Sequence, residues 1–137
     1  MKYYAVIDTN VLVSSLLKTD TNPAKIISYV RDKTIVPIYD QEILDEYQEV
    51  LSRKKFPFSK EQQDETLNMI KTYGRVLEEI TTDEQFEDEE DIKFFQIVLA
   101  ANLIQDSYLI TGNKKHFPRR VFVVDPATMV KIVESNK

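Results

Sequence analysis

Three acids and one amide in this 137-residue chain, Asp8, Glu46, Asp91 and Asn113, have surroundings that suit chemistry. Asp8 ends the apolar run YYAVI, and Asn113 follows the apolar run SYLIT. Glu46 shares the segment 41–53 with Glu42, Asp45 and Glu49, but at about 100° per residue it alone falls beside the stripe of Ile43, Leu44, Tyr47, Val50 and Leu51. Asp91 falls on the line of Phe95, Val98 and Asn102, whereas Lys93 and Gln96 mark the opposite side, expected to face solvent. Three carboxylates gathered at one place raise at least one pKa and destabilise the fold unless a cation neutralises them. The chain has no cysteine and one histidine, which excludes thiolate sites and sites built from several imidazoles. A hard divalent ion is the cation that suits the remaining donors: magnesium takes oxygen ligands and commonly meets its substrate through phosphate oxygens. The carbonyl oxygen of Asn113 can ligate directly or orient a carboxylate.

The elements that must position these residues follow from periodicity. Short apolar runs at 3–7, 34–39, 107–111 and 121–125 read as strands, with a further short strand expected at RVLEEI, 75–80. Helical patterns occupy about 10–17, 23–32, 41–53, 59–73, 90–105 and 126–135. Ser59 with Gln62 forms a capping signature, Gly74 stops the helix before it, and Pro126 opens the last helix behind Asp125 as its N-cap. Pro37 lacks an N–H and so belongs near a strand end or a sheet edge. Alternating strands and helices imply a single α/β domain over residues 1–137, a sandwich around a mainly parallel sheet. Ligands of such sheets bind at the carboxyl ends of the strands, near the switch in strand order. That rule brings Asp8 and Asn113 to one edge, with Gly112 expected to supply a conformation or a close approach that a Cβ would hinder.

Charge distribution bears on partners. The net charge is −5, but residues 83–91, DEQFEDEED, hold seven of the 23 acids, leaving 18 bases against 16 acids elsewhere. An acidic locus on a slightly basic body is compatible with a polyanionic partner where a uniformly acidic protein is not. Asp88, Glu89 and Glu90 read as a solvated run that complements a helix dipole. The clusters Arg53-Lys54-Lys55, Lys114-Lys115 and Arg119-Arg120 are either solvated surface or guides for a phosphate backbone. The apolar runs are far too short to cross a membrane, and MKYYAVID lacks a signal peptide's apolar core, so a cytoplasmic location is expected.

Each residue also has a plainer reading. Asp8 is an N-cap, Glu46 a boundary residue of an amphipathic helix, Asp91 a first-turn dipole partner, and His116 loop structure rather than a catalyst. No serine has the setting of a nucleophile elbow, and Asn10 stands where an aspartyl-nucleophile phosphatase needs a second acid.

The segments AVIDTNVLVSSLL, EILDEYQEVLSRKKF, DEEDIKFFQIVLAA and SYLITGNKKHFP together resemble the PIN domain family, especially its bacterial and archaeal VapC-like branch of toxins in toxin-antitoxin systems. The resemblance spans nearly the whole chain in order and spacing. It implies a three-layer α/β/α nuclease fold and a ribonuclease dependent on Mg2+ or Mn2+. The family's acidic quartet, its metal and catalytic set, falls on Asp8, Glu46, Asp91 and Asn113; the last departs from the aspartate that often follows TG in the family. Thr9 and Asn10 would donate to the phosphate or to the carboxylates, with Thr111, Lys114 and Lys115 as weaker substrate contacts. The implied partners are an RNA substrate, a cognate antitoxin and a second copy in a homodimer. The alternative is a degenerate domain that binds RNA or protein without cutting.

Overall fold

A computed structural model describes residues 1–77 and 91–136. Five parallel strands form one sheet: β1 (Tyr3–Ile7), β2 (Ile35–Tyr39), β3 (Arg75–Val76), β4 (Ser107–Ile110) and β5 (Val123–Val124), in the order β3-β2-β1-β4-β5. The helices are α1 (Thr9–Leu17), α2 (Asn22–Arg31), α3 (Gln41–Leu51), α4 (Lys60–Tyr73), α5 (Ile92–Asn102) and α6 (Pro126–Ser135), and one 3-10 turn covers Lys114–His116. Right-handed crossovers explain the layers. The chain steps outward from β1 through β2 to β3, then returns past β1 to β4, so the returning connection takes the opposite face. Accordingly α5 packs on β1, β2 and β4, while α2, α3 and α4 pack on β2 and α6 on α2. The result is a three-layer α/β/α sandwich with the core between layers, from Val6 and Ile7 of β1 to Phe94 and Phe95 of α5.

The caps are where the sequence places them. Ser59 and Gln62 form a complete capping box, and Asp125 accepts the Thr128 N–H at 2.7 Å. Pro37 lies inside the sheet, in register with Ala5, because its other flank faces Gly74 before β3 begins and no ladder bond is lost there. Gly74 itself is required by crowding: a Cβ would stand 2.3 Å from the Ile70 carbonyl oxygen and 2.6 Å from that of Pro37.

Three expectations change. Strand β5 is two residues long, and Val121 is almost fully exposed in the turn before it. Helix α5 ends at Asn102, whose amide donates to the carbonyls of Val98 and Ser107 and accepts the Ser107 N–H, turning the chain into β4. Gly112 has open space where a Cβ would be and no positive φ, so no close approach requires it. Residues 78–80 of the expected RVLEEI strand, and Asp88, Glu89 and Glu90, lie outside the described residues.

Candidate active site

The sheet order reverses between β1 and β4, whose carboxyl ends lie side by side: Ile7 is in register with Ile110, and the Asp8 N–H donates to the Ile110 carbonyl at 3.0 Å. Asp8 is the N-cap of α1, yet its side chain makes no capping hydrogen bond. Its Oδ2 instead accepts the Thr111 hydroxyl at 2.7 Å. Thr111 in turn accepts the backbone N–H of Asn113 at 3.0 Å, so one fully buried hydroxyl joins both strand ends.

Helix α3 brings Glu46 to the same place. Its neighbour Tyr47, completely buried, donates to the Ile7 carbonyl at 2.5 Å and pins the helix to the end of β1. Burial pushes the Tyr47 hydroxyl pKa well up, with the charges of Asp8, Glu46 and Asp40 adding to it. Glu42, Asp45 and Glu49 are exposed and Glu46 is half-buried, as the apolar stripe predicts. The Thr9 hydroxyl donates to Glu46 Oε2, and Lys93 Nζ lies 2.7 Å from Glu46 Oε1.

Asp91 precedes α5 at the third wall, with its Oδ2 3.7 Å from His116 Nδ1. A cleft of about 320 Å³ is lined by Asp8, Thr9, Asn10, Glu46 and Asp91, with the ion pair of Glu49 and Arg53 at 2.9 Å and Val50 completing it.

The Asp8 carboxyl is raised above the ordinary aspartate range. Burial is the main cause and the charge of Glu46 a further one; the Thr111 hydroxyl and the N–H groups of Asn10 and Thr9 oppose them. Among the described residues no lysine, arginine or histidine pairs with Asp8, which is 5 % exposed. A buried carboxylate that lines one cleft with two others and has no basic partner among the described residues fits a hard divalent cation. Among the described residues no three carboxylate or imidazole groups form a ready-made metal cluster.

Residues 4–115 match the family model described as PIN domain. The chain belongs to the PIN domain family. No curated protein and no solved structure matches it. PIN domains are generally nucleases that use divalent metal ions. In this PIN domain, Asp8, Glu46 and Asp91 line one cleft at the switch point, whereas Asn113 is not among the lining residues. Thr9, expected to donate to the phosphate or to the carboxylates, donates to Glu46; Thr111, expected as a substrate contact, is buried and donates to Asp8; Asn10 is exposed at the cleft.

Two residues escaped the sequence. Lys93 does not face solvent, because α5 is buried across a wide face and packs on α3 as well as the sheet, so the direction away from Asp91 meets Glu46. His116 faces Asp91 rather than serving only its own loop. Periodicity located neither: a single helix wheel cannot show what a second helix covers. A separate groove of about 670 Å³ after β4 is lined by Lys114, Lys115, Arg119 and Arg120 with Phe117, Pro118 and Val123.

Proposed function

We propose that this PIN domain is a metal-dependent ribonuclease that hydrolyses RNA phosphodiester bonds. The observation that carries the reading is the meeting of Asp8, Glu46 and Asp91 in one cleft at the sheet's switch point. Asp8 and Asp91, with Glu46, would hold Mg2+ or Mn2+, and the ion would supply charge neutralisation at the phosphate and an activated water. The chain's own groups do the rest. Thr111 fixes the direction of the Asp8 carboxylate, and Tyr47 fixes the helix that carries Glu46. Asn10, exposed at the amino end of α1, presents an amide to an incoming phosphate, which the helix dipole favours there. The groove of Lys114, Lys115, Arg119 and Arg120 offers a phosphate backbone a cationic path.

The same reading makes the protein the toxin of a toxin-antitoxin pair, acting in the cytoplasm as a homodimer and restrained by a cognate antitoxin. Its support is the sequence resemblance set out above. No helix among the described residues is long and apolar enough to cross a membrane.

Incubation of the purified protein with RNA and Mn2+ or Mg2+ tests the activity. Cleavage is expected to need the metal and to vanish in Asp8→Asn and Asp91→Asn; cleavage that survives both substitutions sinks the site assignment. One observation favours the non-catalytic alternative, a domain that binds RNA or protein only: both oxygens of Glu46 already have protein partners. A melting temperature that ignores Mn2+ would support that alternative.

A further inference from the structure

We propose that Lys93 is a built-in competitor for the divalent cation, holding the Glu46 oxygen that the ion would use and so setting how tightly the cleft takes metal. This rests on the metal-dependent reading above and adds a residue that the acidic quartet does not include.

The geometry makes the two oxygens of Glu46 unequal. Oε2 is held by the hydroxyl of Thr9, a short, buried side chain next to Asp8, so its position is tied to the end of β1. Oε1 is held by Lys93 Nζ at 2.7 Å, at the end of a long, flexible stem. An incoming cation can displace an ammonium on four methylenes far more readily than a hydroxyl fixed at Cβ. Lys93 comes from α5 two residues beyond Asp91, so one short segment delivers an acid to the cleft wall and a competing cation to Glu46. The lysine and glutamate side chains are 16 % and 19 % exposed, and solvent and salt therefore screen the pair less than the Glu49–Arg53 pair at the rim, which is 61 % and 48 % exposed.

The charge count points the same way. With Lys93 in place, Glu46 already has a cationic partner, and a divalent ion meets Asp8, which has no basic partner among the described residues, together with Asp91, 3.7 Å from His116. Without the ammonium, Glu46 becomes an additional charged oxygen donor for the ion. An adjacent opposite charge commonly changes a carboxylate's affinity for a proton by roughly tenfold or more, and its affinity for a metal ion moves in the same sense.

Mn2+ binding by the full chain, measured by titration calorimetry and by the fall of the free-ion paramagnetic signal, tests the proposal without reference to activity. Lys93→Met is expected to bind Mn2+ at least tenfold more tightly than the wild type. Lys93→Arg, which keeps the charge, should stay within about twofold, and adding Glu46→Gln to Lys93→Met should abolish the gain. Lys93→Gln is the second variant should the methionine protein fail to fold, with near-UV circular dichroism as the check. Equal or weaker binding in folded Lys93→Met or Lys93→Gln, with binding still lost in Asp8→Asn, overturns the competitor role and leaves the metal site standing. Binding that Asp8→Asn leaves unchanged, or none in any protein, overturns the metal-dependent reading and this proposal with it.

Discussion

Thr111 Oγ1 donates to Asp8 Oδ2 across 103 residues of sequence, and both groups are buried. The bond joins the ends of the two strands between which the sheet order reverses, so the direction of the Asp8 carboxylate is set by the register of β1 and β4. Thr111→Val keeps the shape, removes the donor, and leaves the Asn113 N–H without its acceptor. Loss of stability by about 1–3 kcal/mol at neutral pH is expected from urea titration. The deficit should shrink in acid, because a hydrogen bond to the charged carboxylate is the stronger one.

Asp8→Asn should separate stability from activity. The Asp8 carboxyl is raised above its value of 3.8 in the unfolded chain, chiefly by burial. The native state therefore holds this proton more tightly than the unfolded state, and the contribution of Asp8 is greatest below pH 3.8 and is lost as pH rises through the folded value. Asparagine carries no charge, can still accept the Thr111 hydroxyl, and escapes that loss. In metal-free buffer the variant is expected to melt above the wild type at neutral pH, with the gain vanishing near pH 3. Its nuclease activity should fall by more than the roughly 10–100-fold that losing a supporting partner costs. A variant that melts lower at every pH would show that burial does not dominate at Asp8.

The site was legible in proportion to how local its causes are. Asp8 could be placed because a strand end and the rule of the switch point need only the order of elements, and Glu46 because a single helix wheel distinguishes it from Glu42, Asp45 and Glu49. The cap of α6 and the capping box of α4 are contained within four residues each. What could not be read depends on contacts between distant segments: Lys93 against Glu46, Tyr47 against the Ile7 carbonyl, His116 against Asp91. Helix α5 was the hardest case, because a helix buried over a wide face has no single solvated side from which to orient a lysine. Strand β5 is shorter than the run 121–125 because VFVV is apolar throughout, while only Val123 and Val124 pair in register with β4.

Asp125 gives the opposite pH sign to Asp8. Its carboxyl is held below the usual range, first by the backbone N–H of Thr128 and then by the Thr128 hydroxyl. A lowered group stabilises above its unfolded pKa, and that contribution is lost as pH falls through the folded value. Asp125→Ala should cost about 0.5–2 kcal/mol at pH 7 and progressively less below pH 3.8, as measured by denaturant titration of the two proteins.

The two glycines should respond to alanine in opposite ways. At Gly74 the added Cβ meets two backbone carbonyl oxygens at 2.3 and 2.6 Å, and neither Ile70 at the end of α4 nor Pro37 in β2 can withdraw without moving its element. Gly74→Ala should therefore destabilise by about 1–3 kcal/mol or more, as overpacking against rigid neighbours does. At Gly112 the Cβ meets nothing within 4 Å and the backbone is not left-handed. Gly112→Ala should leave stability unchanged or raise it by about 0.4–1 kcal/mol, by restricting the unfolded chain. Since Gly112 separates Thr111 from Asn113, an unperturbed Mn2+ response in the alanine variant would also show that the TGN turn needs no glycine freedom to support Asp8. A stability loss at Gly112 matching that at Gly74 would contradict the open space assigned to it.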